Sequence, residues 1–418
     1  MVSKGEYDMK FNTALLHDNA FVEEKTGATL TPIYQSSAFS YKTAEELEKV
    51  FEHKLPGFSY TRINNPTVEA LEKRITALEG GIASVACASG MAAVTNAILN
   101  LVRAGDEIIS GSGIFGGTID LFKDLEAYGI HTVYVKDGTP EEYESRITER
   151  TKLIFAEVIG NPKLDVLDIE EVAKAAHRHR VPFLVDNTTA TAFMVRPIRL
   201  GADIVIHSSS KYINGSGNSI SGIITDSGKF KWDYGRYPGL EKYRKFGPLQ
   251  YIASLRNGLF RNTGACLAPF NAYLNLLGLE TLGIRMERLC NNALVLAKYL
   301  QGNKEIAGVN YPGLEASPWH PIAKKQFNGY YGAILTLRAG SKEKAYKIMN
   351  HLKLAIIAPN IGDTKLLVIH PESTIYLNSS AEGRQNAGVY EDLIRVSMGL
   401  EDIEDVIRDF EQAIEAAG

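Results

Sequence analysis

Cysteine is scarce in this 418-residue chain: Cys87, Cys266 and Cys290 are its only three, and none stands in a C-x-x-C pair. That spacing argues against a disulfide-stapled scaffold and a clustered zinc site, and it points to a reducing compartment, the cytoplasm. Positive charge is not in excess either. Forty-five Lys and Arg against 49 Asp and Glu leave a formal charge of -4, so no basic surface is expected to track a phosphate backbone, and no nucleic-acid partner is expected. Long apolar runs are missing as well: the longest, residues 91–102, is interrupted by Thr95, Asn96 and Asn100 and is too short to cross a bilayer, so it reads as a buried helix and no membrane partner is expected. Residues 1–10 mix charges of both signs without an apolar centre, unlike a secretory signal. His177 and His179 sit two apart on a helical pattern and point to different faces, so no metal is expected.

What is present is ordinary globular material, 45% hydrophobic and 22% charged, in a chain longer than one core organises. Residues 1–60 show no sustained period apart from a short helical pattern at 43–51, and an extended arm is expected. Asn64-Asn65-Pro66 opens the first strong helix, with Val68, Leu71, Ile75 and Leu78 on one stripe and Gly80-Gly81 as its stop. Apolar runs at 107–110, 131–135, 153–158, 183–185, 204–207 and 223–225 read as strands, separated by segments such as 169–179 long enough for helical crossovers. This alternation predicts βαβ units around a mostly parallel sheet, with ligands at the carboxyl ends of the strands. Residues 229–247 lack a period and read as an excursion or lid. Helical patterns resume at 249–259 and 267–300, and short strands and helices up to 403–417 predict a second, smaller α/β domain.

Two strand ends carry chemistry. Phe183-Leu184-Val185-Asp186-Asn187 and Ile204-Val205-Ile206-His207-Ser208-Ser209-Ser210-Lys211 lie one βαβ step apart, so Asp186 and Lys211 can share a crevice. A lysine amine to hold an aldehyde covalently and a carboxylate beside a ring nitrogen are what pyridoxal phosphate requires. Ser208 and Ser210 add hydroxyls suited to its phosphate. Ala88-Ser89-Gly90-Met91 forms a glycine turn opening a helix, whose free N–H groups favour an anion.

These segments resemble the cystathionine γ-synthase-like group of pyridoxal-phosphate enzymes of cysteine and methionine metabolism over nearly the whole chain. The likeness rests on Tyr60-Thr61-Arg62-Ile63-Asn64-Asn65-Pro66-Thr67, Ala88-Ser89-Gly90-Met91, Gly160-Asn161-Pro162, Val185-Asp186-Asn187-Thr188, His207-Ser208-Ser209-Ser210-Lys211-Tyr212, and residues 393–402 around Arg395. Within the group it is similar to O-acetylhomoserine sulfhydrylases, through residues 157–168, 264–271, 278–282 and 309–314. The resemblance implies fold type I, with an arm at 1–62 reaching a neighbouring subunit, a cofactor-binding domain at 63–262 and a C-terminal domain at 263–418. It implies that Lys211 binds the cofactor covalently and acts in catalysis, and that Asp186 pairs with the ring nitrogen. Gly90, Met91, Ser208 and Ser210 would hold the phosphate, Phe115 would stack on the ring and Asn161 would bond its phenolic oxygen. Arg395 would clamp the substrate carboxylate, and Tyr60 and Arg62 would come from a neighbouring subunit of a homotetramer built as a dimer of dimers. The implied reaction is γ-replacement on O-acetyl-L-homoserine by sulfide, giving homocysteine and acetate. The alternatives are γ-elimination of the methionine or cystathionine γ-lyase kind, and replacement by a carbon, bulky thiol or protein thiocarboxylate nucleophile.

The sequence departs from the group at Phe115, where a tyrosine is usual, at Leu366 and Tyr376, where a small hydroxyl residue and a histidine are usual, and at Thr189 and Ala192, where an aromatic and a proline are usual. An altered substrate pocket is expected from these changes. Two rivals remain. Gly111-Ser112-Gly113-Ile114-Phe115-Gly116 fits the dinucleotide fingerprint of an NAD-dependent oxidoreductase, with Asp137 ending the next strand. A non-catalytic assembly would also keep the fold.

Overall fold

A computed structural model describes residues 9–18 and 26–418. Residues 1–8 and 19–25, which include part of the expected arm and most of the segment read as non-secretory, lie outside the described residues.

The larger sheet has seven strands: β1 (Ala83–Cys87), β2 (Glu107–Gly111), β3 (His131–Val135), β4 (Thr151–Glu157), β5 (Phe183–Asp186), β6 (Ile204–His207) and β7 (Gly222–Asp226), in the order β1-β7-β6-β5-β4-β2-β3. β3, β2, β4, β5 and β6 are parallel, and β7 runs against both of its neighbours. The expected mostly parallel sheet is what forms. Its strands read as continuous apolar runs because both faces are covered: Ile154, Val185 and Val205 enter one core, while Phe155, Leu184 and Ile206 enter another. The second sheet holds β8 (Gly308–Asn310), β9 (Ile334–Arg338), β10 (Ile356–Ile357), β11 (Leu367–Ile369) and β12 (Leu393–Ser397), in the order β10-β11-β12-β9-β8. Helix Leu282–Gln301 packs against β8 and β9, and its buried residues share one core with residues of both sheets.

Four local features differ from the sequence reading. β1 is an additional strand: Ala83-Ser84-Val85-Ala86-Cys87 has small residues and one β-branched side chain, so its propensity signal is weak, and tertiary pairing with β7 determines it. Helix Phe11–His17 folds back on its own chain, with Leu15 buried and Phe11 edge-on to Phe193. The pattern over 267–300 breaks at Thr281 into helices Pro269–Glu280 and Leu282–Gln301. Residues 229–247 form an excursion but no lid: Tyr237 bonds the Lys152 carbonyl, and Arg236 bonds the carbonyls of His179 and Thr151, placing the segment at the amino ends of β4 and β5, away from the strand ends that carry Asp186 and Lys211.

The three cysteines are free, although Cys87 and Cys266 are neighbours across an antiparallel bridge that their sequence separation conceals. No helix among the described residues is long and apolar enough to cross a membrane.

Helix Pro66–Glu79 forms as its cap predicts. The Asn65 carboxamide accepts from the Thr67 N–H at 2.9 Å and donates to the Tyr34 carbonyl at 2.8 Å, and Gly80 ends the helix in the left-handed conformation at φ 74°. Asn65→Ala loses both bonds at a buried position and is expected to destabilise the protein by about 2 kcal/mol. Chemical denaturation checks this: an unchanged unfolding midpoint contradicts the role of the cap.

Candidate active site

The carboxyl ends of β4, β5 and β6 open into a cavity of about 280 Å³, closed on its other sides by the starts of helices Gly90–Leu99 and Gly116–Glu126, by the 359–361 loop and by Arg395 of β12. Gly90, Met91, Phe115, Asn161, Asp186, Ser208, Ser210, Lys211 and Arg395 all line it. Nine of the eleven sequence-selected residues therefore meet in one place, drawn from both halves of the chain. Tyr60 and Arg62 do not line this cavity. Tyr60 is 43% exposed, and Arg62 stacks over its ring at 5.5 Å while donating to the Arg261 carbonyl at 2.7 Å.

At the floor, Asp186 of β5 and Glu157 of β4 are register partners on adjacent strands. Burial pushes both carboxyls above the usual range, and the neighbouring Asp186 charge raises Glu157 further. Bonds from Thr188 oppose the shift of Asp186, whose Oδ1 accepts the Thr188 N–H at 2.9 Å, and the Phe115 N–H donates to Glu157 Oε1 at 2.6 Å. Two carboxyls side by side in a poorly hydrated site favour a proton or cation between them and their ligand. Glu157 is missing from the sequence-selected set. Its signal was available, since it ends an apolar strand in the same way as Asp186.

Across the cavity, Lys211 Nζ donates to Asn360 Oδ1 at 2.6 Å. Burial, helped by the Arg395 charge, lowers the amine from 10.5 to about 8. Arg395 is buried, donates through Nη1 to Asn161 Oδ1 at 3.1 Å and through Nη2 to the Asn360 carbonyl at 3.0 Å, and keeps Nε without a partner among the described residues. Burial lowers it to about 10, and an unpaired buried guanidinium N–H is suited to an incoming carboxylate. Asn360, which orders both cations, lies 149 residues from Lys211 in the chain, and no local pattern marks it.

At the third wall the Ser89 hydroxyl caps helix Gly90–Leu99 by accepting from the Ala92 N–H at 3.0 Å. A Cβ at Gly90 would lie 2.6 Å from the Ser208 Cβ, so glycine is what lets this turn approach β6. Ser208 hangs from the Thr188 hydroxyl through its N–H at 2.8 Å. Ser210 is more committed than its sequence position implies: its hydroxyl donates to the Ser221 carbonyl at 2.9 Å and accepts from the Ser221 N–H at 2.7 Å.

The departures separate by position. Phe115 and Thr189 face the cavity, and the Thr189 hydroxyl donates to the Ile159 carbonyl at 3.1 Å. Leu366, Tyr376 and Ala192 do not line it. Leu366 is fully buried in the core, and the Tyr376 hydroxyl sits behind the wall, bonded to the carbonyls of Ile114 and Asn161; Ile375 is the residue of that segment that reaches the cavity. The alteration expected from Leu366 and Tyr376 is thus confined to packing behind the wall. The glycine fingerprint fails physically. The space beside it is about 30 Å³, roughly a single water, and a Cβ at Gly113 would lie 2.5 Å from an Asp165 carboxylate oxygen, where a pyrophosphate would meet negative charge.

A glycine turn at a helix start, a pair of buried carboxyls raised toward their protonated forms, an amine of lowered basicity and a guanidinium N–H without a partner among the described residues fit pyridoxal phosphate together with an amino acid. The comparisons with known proteins agree. Homocysteine synthase of Schizosaccharomyces pombe is 42% identical over 97% of this chain and 98% of its own. O-acetyl-L-homoserine sulfhydrylase of Corynebacterium glutamicum is 41% identical over 96% of each. A crystal structure of a putative O-acetylhomoserine (thiol)-lyase from Campylobacter jejuni, which carries pyridoxyl-lysine phosphate, superposes with a TM-score of 0.93 at 33% identity over 97% of this chain and all of that one. A family model for Cys/Met metabolism PLP-dependent enzymes matches residues 12–415. The chain belongs to this family of pyridoxal-phosphate enzymes, and its mostly parallel sheet with a smaller α/β lobe is their fold type I.

Proposed function

We propose that the protein catalyses γ-replacement on O-acetyl-L-homoserine with sulfide, releasing acetate and forming L-homocysteine. The observation that carries this reading is the convergence of Lys211, Asp186 and Arg395 on one cavity, in a chain similar along its length to proteins named homocysteine synthase and O-acetyl-L-homoserine sulfhydrylase.

Bound pyridoxal phosphate supplies an electron sink for carbanions at the α- and β-carbons of the amino acid. Lys211 would hold it, with Asp186 at the ring nitrogen, Asn161 at the phenolic oxygen, and the Gly90 and Met91 N–H groups and the Ser208 hydroxyl at the phosphate. Ser210 would reach the phosphate only by turning its hydroxyl hydrogen away from the Ser221 carbonyl. Arg395 receives the substrate carboxylate on its free Nε and orients the α-hydrogen toward Lys211. With a pKa near 8, the amine of Lys211 accepts and returns protons close to neutrality, moving them from the α-carbon and then the β-carbon as acetate leaves the γ-carbon and sulfide adds there. Phe115, which lines the cavity, would stack on the ring without offering a hydroxyl, leaving proton transfer to Lys211 and water.

The same reading assigns residues 1–62 to an arm, 63–262 to the cofactor domain and 263–418 to the C-terminal domain. Tyr60 and Arg62, which do not line their own cavity, would complete a neighbouring subunit's site in a dimer, two of which would form a tetramer. The partners are small molecules, and the compartment is the cytoplasm.

Mass spectrometry of products from cofactor-loaded protein given O-acetyl-L-homoserine tests the reaction. Homocysteine formed only with sulfide is expected, while 2-oxobutyrate formed regardless of sulfide would identify a lyase. The apo-protein is expected to capture pyridoxal phosphate faster as pH rises, with a midpoint near 8, because only the unprotonated Lys211 amine reacts. Replacing Arg395 by Met removes a charge that lowers this pKa, so the midpoint should move to higher pH; a midpoint near 10 in the unaltered protein contradicts the assignment. Gly90→Ala forces Ser208 aside and should weaken cofactor binding about tenfold, the equivalent of losing a bond to a charged group; dialysis followed by absorbance measures this.

A further inference from the structure

Helix Pro66–Glu79 ends beneath the cavity, and its last side chain lies between the two strand ends that carry the site. Glu79 Oε1 accepts from His207 Nε2 at 2.6 Å and from Asn187 Nδ2 at 3.1 Å, with the Glu79 and His207 side chains 1% and 2% exposed. Asn187 follows Asp186, the last residue of β5, and His207, the last residue of β6, precedes Ser208. One carboxylate oxygen therefore ties the two strands at the residues next to those assigned to the ring nitrogen and the phosphate. The Asn187 N–H to Ile206 carbonyl bond at 2.9 Å continues the ladder between these strands, and the Ser208 N–H to Thr188 hydroxyl bond lies beyond it.

This pair is a poor device for stability. A buried ion pair roughly offsets its own desolvation, and apolar residues of the same volume often do better. Its remaining polar atoms, Glu79 Oε2, His207 Nδ1 and Asn187 Oδ1, have no hydrogen-bond partners among the described residues. What the three side chains achieve is geometric.

We infer that Glu79 is a positioning residue: through His207 and Asn187 it fixes the distance between Asp186 and Ser208, and so the seating of the cofactor held between them. The inference rests on the site reading above.

Titration of apo-protein with pyridoxal phosphate, together with the visible spectrum of the loaded protein, tests it. Glu79→Ala should lower affinity about tenfold and alter the balance of the absorbance bands, because both strand ends lose their shared acceptor. Glu79→Gln, which can still accept from both neighbours, should recover affinity to within about threefold of the original. Asp392→Asn is the control for general destabilisation: this buried carboxylate serves Arg338 and the Gly340 N–H in the second sheet, and its loss should leave the affinity unchanged. If Glu79→Ala does not fold, His207→Ala and Asn187→Ala each remove one arm of the clasp and should each weaken binding about threefold. Original affinity and spectrum in Glu79→Ala, or in both single-arm variants, overturn the inference. Asp186→Ala and Ser208→Ala separate the two levels. If they weaken binding while the clasp variants do not, only the clasp fails; if they too bind normally, the site reading fails with it.

Discussion

Two carboxyl groups buried side by side at the ends of adjacent parallel strands are the constraint on which the rest of the site depends. Asp186 and Glu157 cannot both ionise cheaply in so little water, and burial pushes both toward their protonated forms. A ligand that brings a ring nitrogen and a proton to that floor relieves the conflict. Lys211 and Arg395 oppose them from across the cavity, both deprotonating more readily than usual through burial and both ordered by Asn360. Basic groups and carboxyls thus line one cavity, and among the described residues Arg395 Nε is left without a partner.

The fold produces this arrangement through parallel topology. β4, β5 and β6 run the same way and end at one level, so residues far apart in sequence emerge together, and helices begin where those strands stop. The second sheet contributes Arg395 from the middle of β12, held against β9 and β11. The arginine therefore sits on a rigid element, while its partner Asn360 is on a loop. Rigid placement suits a clamp that must orient one hydrogen of the substrate toward Lys211.

Much of this was legible in the chain. Apolar runs without alternation located β2 to β7, because a sheet covered on both faces needs no polar side, and Asp186 and Lys211 stood out as polar residues where such runs end. β1 escaped because alanine, serine and cysteine carry little strand preference, and Glu157 escaped although it obeys the same strand-end rule. Asn360 and the Phe11–His17 packing are long-range facts with no local signature. Leu366 and Tyr376 show the converse: departures from a family pattern mark a position, but only the packing decides whether that position faces the substrate.

The central claim is that one lysine at the end of β6 tethers the cofactor in this cavity. Borohydride reduction of the loaded protein makes that linkage permanent, and peptide mapping by mass spectrometry then locates the pyridoxyl group. The account predicts the label on Lys211 and on no other lysine. A label on a different lysine, or none on a protein that turns over substrate, would contradict it.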